Sequence, residues 1–204
     1  MSTLALNKDT NPNQHKAQRF TMRLAIVSIS MSFAGLTSYY IIYKAKETWS
    51  FFEMPSIFWV STIIIGLSSM AIQMAHLANK KDKIPTLQLG MGLTLLLGIA
   101  FCVSQWLGWR ELMSKGIFLA GSGNGNSIFY VITGGHALHL IGGLFFVLIA
   151  TLKSFFIFRS NKNSSTFLNK ESDKLLIRTD LLTVYWHFMG ILWLYLFVFL
   201  YINH

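Results

Sequence analysis

A mostly apolar run from Ser127 to Phe158 sets the first limit on how this chain can fold. The run exceeds the roughly 20 residues that an α-helix needs to cross the hydrocarbon core of a bilayer. Only 12% of the 204 residues are charged, about half the share found in ordinary soluble domains. The run therefore predicts a membrane-spanning helix, and the composition leaves no room for a separate soluble domain.

Four further apolar runs extend this prediction to an all-α membrane bundle of five transmembrane helices. The predicted spans are 20–43, 57–77, 86–107, 127–158 and 181–202, within a membrane domain of residues 20–204. Residues 1–19 are polar and predict a cytoplasmic tail, and residues 159–180 predict the longest loop. Because side-chain oxygens often cap the first turn of a helix, Ser127 is expected to cap the fourth span and Thr179 or Asp180 the fifth.

Lysine and arginine are distributed unequally between the two ends of the predicted bundle. Thirteen fall in the N-terminal segment, the second loop and the fourth loop, and four fall in the first and third loops. Basic residues accumulate in the cytoplasmic loops of membrane proteins. The asymmetry predicts a cytoplasmic N-terminus and a periplasmic C-terminus. It also accounts for the net charge of +9 without a nucleic-acid partner.

The fourth span contains an unusual cluster of glycine and histidine. Its glycines are Gly134, Gly135, Gly142 and Gly143. On a helix they fall on two neighbouring rows of i, i+4 spacing, which predicts a shallow packing groove for another helix or a lipid chain. His136 and His139 are three residues apart and share a face. Their imidazoles are expected to contact protein, lipid headgroups or water rather than acyl chains.

Metal or haem ligation is the main alternative for the histidines in the predicted spans. Two histidines on one face of one helix cannot bracket a haem iron from both sides. A copper or zinc site would need a further ligand nearby, and the only cysteine, Cys102, lies in another span. We therefore expect no metal ligand among these histidines. His136, His139, His187 and Trp186 are instead candidates for lipid contact or interhelical hydrogen bonds, with Trp186 a candidate for the interfacial aromatic belt.

Two segments carry a family resemblance. Thr133-Gly134-Gly135-His136-Ala137-Leu138-His139 resembles the T-G-x-H-x-L-H signature of subunit III of haem-copper oxidases. The segments 185–188 (YWHF) and 193–197 (WLYLF) resemble the closing pattern Y-W-H-F-x-D-x-x-W-x-x-L-F of that family. The resemblance extends in order over about residues 20–202 and fits the five-helix bacterial form. Gly190 stands where the family usually has Asp, and Ile29 where it often has Glu in mid-membrane.

The resemblance implies a non-catalytic subunit III of a cytochrome c oxidase in the bacterial inner (cytoplasmic) membrane. Such a complex reduces oxygen and couples the reaction to proton transport, with haem and copper in partner subunits. The resemblance further implies lateral contact with subunit I, association with subunit II, bound phospholipid, and support of proton uptake and of the stability of the catalytic subunit. Because Ile29 cannot titrate and no acid lies in mid-span, this chain alone is not expected to pump protons.

Alternatives of the same and of other classes remain open at this point. The electron donor docks on another subunit, so the same subunit of a quinol oxidase or of a nitric oxide reductase fits equally. An independent carrier would show buried charge or broken helices in mid-membrane, and the sequence shows neither. A b-type cytochrome would reveal itself in the visible spectrum of the isolated chain.

Overall fold

A computed structural model of the protein describes residues 12–45, 54–81, 83–119, 124–160 and 165–203. Its helices are α1 Pro12–Lys44, α2 Ile57–Lys80, α3 Ile84–Ser114, α4 Asn124–Ser160 and α5 Ser165–Asn203, and these described ranges contain no strand. Each helix includes a segment that is long and apolar enough to cross a membrane. The prediction of an all-α bundle with five membrane-spanning helices is confirmed.

The helices extend further than the apolar runs that predicted them. α1 begins at Pro12, inside the predicted polar tail, and residues 1–11 lie outside the described ranges. α5 begins at Ser165, so most of the predicted loop 159–180 is helical and the expected caps Thr179 and Asp180 lie inside a helix. The expected cap Ser127 was also wrong, because α4 begins at Asn124. Hydropathy reports where a helix crosses hydrocarbon, whereas its backbone hydrogen bonds continue into polar sequence.

The five helices differ in how much of their surface the bundle covers. α5 packs against α1, α2 and α4, and α3 packs against α2 and α4. α1 contacts only α4 and α5 in the described chain. In the most apolar window of each helix, 17% of the α1 residues are buried but 44% of the α5 residues. α5 is therefore the central element and α1 the peripheral one.

An aromatic core joins α2, α3, α4 and α5 at one end of the bundle. Trp193 of α5 lies edge-on to Phe101 of α3, with ring centroids 5.1 Å apart, and its centroid lies 6.1 Å from that of Phe58 of α2. The Trp193 indole nitrogen donates to Thr62 Oγ1 at 3.1 Å, so its one polar atom is satisfied inside the core. A smaller cluster of Trp186, Ile72 and Val147 continues the core toward the other end.

Candidate functional site

α4 presents the glycine and histidine residues to two different environments. His136 and Gly143 are buried in the bundle, whereas His139 and Gly142 line a cleft. Successive residues of a helix point about 100° apart, so neighbouring positions can belong to different surfaces. The segment therefore supplies both a packing face and an open face.

The open face borders an apolar cleft of about 700 Å³ between α1, α4 and α5. Met22 of α1, Leu138 and Lys153 of α4, and Leu182 of α5 are among the residues that line it. Leu138 and Lys153 are about 22 Å apart along α4 at 1.5 Å per residue. That length is close to one leaflet of a bilayer with its headgroup region.

His139 lies at the wall of this cleft with its tautomer fixed by its own helix. Its Nδ1 donates to the carbonyl oxygen of Gly135 at 2.7 Å. Because a carbonyl only accepts, Nε2 of the neutral ring is left as an acceptor. The Tyr185 hydroxyl of α5 donates to the His139 carbonyl oxygen at 2.9 Å. Tyr185, the first residue of the closing family segment, thus joins α5 to α4 beside the cleft.

His136 occupies an aromatic cage inside the bundle. It is fully buried, and its ring centroid lies 5.4 Å from Trp193, 6.0 Å from Phe101 and 6.5 Å from Phe33. Neither ring nitrogen has a hydrogen-bond partner among the described residues. The expectation that this side chain forms an interhelical hydrogen bond or contacts a lipid headgroup does not fit these surroundings.

Trp186 is fully buried and holds α5 against α2, α3 and α4. Its Nε1 donates to Ser68 Oγ at 3.0 Å. A Cβ added to Gly98 would lie 3.0 Å from Trp186 Cη2, and one added to Gly143 would lie 3.5 Å from Trp186 Cζ3. The indole lies in the interior rather than in an interfacial belt, because Gly98 and Gly143 have no side chains there. Its bond to Ser68 is of the interhelical kind for which Trp186 was a candidate. Ser68 could have been suspected as its partner, since it is a hydroxyl in an apolar span.

His187 forms another interhelical hydrogen bond between α5 and α2. Its Nε2 donates to Gln73 Oε1 at 3.1 Å. One turn further, α5 approaches α2 closely at Gly190, where an added Cβ would lie 3.2 Å from Ser69 Oγ. A Cβ at Gly190, such as that of the Asp in the family pattern, would be tight against the Ser69 hydroxyl, which would have to rotate or move by a few tenths of an ångström.

The four glycines of α4 do not form one packing groove. A Cβ on Gly143 would lie 2.8 Å from Tyr185 Cε1, and one on Gly135 would make ordinary contact with Phe33 at 3.7 Å. A Cβ on Gly134 or Gly142 would meet no described atom within 4 Å. No described helix of this chain therefore packs closely against Gly134 or Gly142. Contact of these two positions with lipid or with another chain stays a prediction.

Ionisable groups cluster at the end of the bundle that carries the start of α1. Arg19 Nη2 lies 3.0 Å from Asp180 Oδ2, and His76 Nε2 lies 3.8 Å from Asp180 Oδ1. This cluster joins α1, α2 and α5, and the sequence did not predict it.

Ile29 packs partly buried against the core. No group of three His, Cys, Asp or Glu side chains able to hold a metal occurs in the described ranges.

Comparison with known proteins decides the family. The family model for cytochrome c oxidase subunit III matches residues 10–204. The chain belongs to the cytochrome c oxidase subunit III family. The resemblance of the glycine–histidine segment and of the closing aromatic segment is thereby confirmed. As a member, the chain is a multi-pass membrane subunit of an oxidase complex.

Three relatives show the range of this family. The probable cytochrome c oxidase subunit 3 of Mycobacterium tuberculosis is 30% identical over 176 residues, which cover 84% of this chain and 80% of the relative. That of Nocardia farcinica is 30% identical over 179 residues, with the same coverage of both chains. The cytochrome bo(3) ubiquinol oxidase subunit 3 of Buchnera aphidicola is 25% identical over 195 residues, covering 90% of this chain and 93% of the relative.

Proposed function

We propose that this chain is the non-catalytic subunit III of a bacterial cytochrome c oxidase in the cytoplasmic membrane. It packs laterally on subunit I, associates with subunit II, binds phospholipid, and supports proton uptake and the stability of the catalytic subunit. The haem and copper of the complex belong to the partner subunits. The family match over residues 10–204 carries the proposal, and relatives named cytochrome c oxidase subunit 3 support the choice of electron donor.

The cleft supports the lipid part of the proposal. Its apolar lining and its length of about one leaflet suit an acyl chain. Lys153 at one end supplies a cation that a lipid phosphate can approach. Gly142 leaves the cleft wide at its wall, since an added Cβ there would meet no described atom within 4 Å. A phospholipid in this position would fill the gap between α1 and the rest of the bundle.

An indirect role in proton uptake fits the charges of the chain. The described carboxylates that make ion pairs lie toward the edges of the membrane-spanning segments, Glu111 near the end of α3 and Asp180 at the start of the apolar segment Thr179–Asn203. Ile29 has no titratable group where the family pattern often has Glu. A proton relay through hydrocarbon needs a series of ionisable side chains. This subunit therefore acts on proton uptake by holding the catalytic subunit and its lipid in place.

A quinol oxidase is the second candidate, favoured by the ubiquinol oxidase subunit among the relatives. Purifying the complex through a tag on this chain in mild detergent tests both candidates together. We expect subunits I and II to co-purify, and reduced cytochrome c to be oxidised faster than quinol. Faster oxidation of quinol would select the second candidate. Purification of the chain without any haem-containing partner would contradict both.

The proposed orientation is tested by labelling from outside the cell. Single cysteines are introduced as Thr10→Cys or His204→Cys in a Cys102→Ser background, and whole spheroplasts are treated with a membrane-impermeant maleimide. We expect modification at 204 and protection at 10, because thirteen basic residues mark the N-terminal side as cytoplasmic. The opposite pattern would reverse the topology.

A further inference from the structure

A second groove lies on α2, away from the cleft that α1 borders. It has a volume of about 560 Å³, and none of the residues that line it lines the cleft. Its mouth is formed by Lys81 and Lys83 in the turn between α2 and α3. Met70, Met74 and Leu77 form its apolar wall, and His187 of α5 also lines it. The groove is thus cationic at one end and apolar along its length.

The turn between α2 and α3 fixes the backbone of the two lysines. The backbone N–H groups of Lys81 and Lys83 both donate to the carbonyl oxygen of Ala78, at 3.1 and 2.9 Å. Both side chains are exposed, and neither forms an ion pair with the described residues. At the same end of the bundle, Asp180 is already paired with Arg19 at 3.0 Å. The turn contains three lysines and one carboxylate, Asp82, so it keeps a net positive charge toward an external anion.

The depth of the groove matches one leaflet of a bilayer. Ser69, at its far end, lies about 18 Å from Lys81 along α2 at 1.5 Å per residue. Half of the hydrocarbon core is about 15 Å thick, so the lysines lie at headgroup level when the groove runs through one leaflet. Methionine side chains adapt to irregular apolar partners such as a lipid chain. The apolar wall therefore suits an acyl chain, and the lysines at the mouth suit the charged headgroup of the same lipid molecule.

We propose that this groove binds an anionic phospholipid, with the phosphate and headgroup charge at Lys81 and Lys83 and one acyl chain along Met70, Met74 and Leu77. Two positive charges at headgroup level favour an anionic over a zwitterionic lipid. Free phosphate would use the lysines alone and gain nothing from the apolar wall. The site goes beyond the proposed oxidase role, since it needs only that the chain spans a membrane.

Photolabelling in native membranes tests the site without requiring a particular oxidase partner. The probe is phosphatidylglycerol with a diazirine in one acyl chain, titrated into membranes and located by mass spectrometry of the peptide containing Met70 and Met74. Lys81→Gln and Lys83→Gln are each expected to weaken labelling about fivefold, from about 1 kcal/mol per basic residue. Lys80→Gln is the matched control, because Lys80 is exposed beside them but does not line the groove. It is expected to change labelling less than twofold.

Two further experiments test which molecule supplies the anion and whether the apolar wall contributes to binding. Unlabelled phosphatidylglycerol should compete with the probe, whereas phosphatidylcholine and inorganic phosphate should not. Met74→Trp fills the wall and should weaken labelling while leaving the lysines unchanged. Equal effects of the Lys80 and Lys81 variants, equal competition by phosphatidylcholine, or unchanged labelling of the Met74→Trp chain would each overturn the proposal. Competition by inorganic phosphate at equal concentration would replace the lipid by a free anion.

Discussion

The α2–α3 interface and the α1–α4–α5 cleft use glycine in opposite ways. At the interface, a Cβ on Gly90 would lie 2.8 Å from Ala75 Cβ and 2.9 Å from both Ala71 O and Ala75 N. These are mostly backbone atoms, which cannot rotate away. At the cleft, a Cβ on Gly142 would meet no described atom within 4 Å. Glycine lets two helix backbones touch in the first region and widens an apolar space in the second.

The difference shows how this bundle holds together without a hydrophobic force between its helices. In lipid, close packing and interhelical hydrogen bonds hold helices to one another. The contact between α2 and α3 has both close packing and a hydrogen bond. Gly90 of α3 packs closely against α2, and Ser61 Oγ of α2 lies 2.8 Å from Ser104 Oγ of α3. α1 is held near both of its ends. Arg19 pairs with Asp180 at one end. Toward the other end Thr37 Oγ1 lies 2.9 Å from Tyr195 Oη, and Tyr40 Oη and Lys44 Nζ donate to the carbonyl oxygen of Asn203 at 3.2 and 2.7 Å. The cleft lies between those two points of attachment.

The largest loss of stability is expected from overpacking the α2–α3 interface. Gly90→Leu is expected to lower the stability of the chain by about 3 kcal/mol or more, because the new side chain would collide with backbone. The measurement is the thermal unfolding midpoint in detergent. Gly92→Leu is the matched control, since an added Cβ there meets no described atom within 4 Å. Equal midpoints for the two variants would show that the interface is not close-packed.

A smaller loss is expected where α5 is tied to α2 through a buried hydrogen bond. Trp186→Phe removes the indole donor to Ser68 and part of the ring volume, and we expect a loss of about 1 kcal/mol, the scale of such bonds within membranes. Trp106→Phe serves as the control, because Trp106 is 54% exposed. A larger loss of stability for the Trp106→Phe variant in detergent would contradict the role of Trp186 in holding α5 against α2.

The sequence predicted the number of helices well because hydropathy responds directly to membrane thickness. It did not predict that residues 165–178 are helical, because nothing in a polar segment distinguishes a helix leaving the membrane from a loop. It also placed Trp186 in the belt, since tryptophan occurs both at interfaces and in cores. Burial of this side chain depends on glycines of two other helices, Gly98 and Gly143, which one-dimensional spacing cannot bring together.

The lack of tertiary information in a sequence also explains why the glycine rows of α4 did not show which residues lie opposite them. The i, i+4 spacing correctly places Gly134 and Gly142 on one row of α4, but it does not determine what lies opposite that row. In the structure no described atom approaches it within 4 Å of an added Cβ. The family was predictable for the opposite reason, because its signature depends on residue order along one helix and needs no tertiary information.

A still smaller effect is expected at the attachment of α1 near the open end of the cleft. Arg19→Gln removes an ion pair with Asp180 whose side chains are 62% and 32% exposed. Exposed pairs contribute at most about 1 kcal/mol, so the unfolding midpoint should change little. Exchange of spin-labelled lipid from the cleft should nevertheless become faster, because α1 loses its ion pair with α5 at this end of the cleft. Lys16→Gln, nearby on α1, should leave the exchange rate unchanged.

No effect on haem is expected from the histidines of α4. His136→Ala and His139→Ala each remove an imidazole that could only serve as a ligand from one side. The haem content of the complex, read from its visible spectrum per mole of subunit I, should equal that of the unmodified protein. Loss of a haem band with the subunits still assembled would show that α4 supplies a haem ligand, which contradicts the prediction.

The most direct test of the two faces of α4 compares Gly142→Leu with Gly143→Leu, adjacent positions given the same substitution. Each complex is purified through a tag on this chain, and bound phospholipid and the unfolding midpoint are both measured. Gly142→Leu should lose phospholipid and keep its midpoint, because the new side chain enters the cleft. Gly143→Leu should lower the midpoint, because its Cβ would lie 2.8 Å from Tyr185 Cε1. Equal changes of both quantities in the two variants would contradict the separation of a packing face from a lipid face.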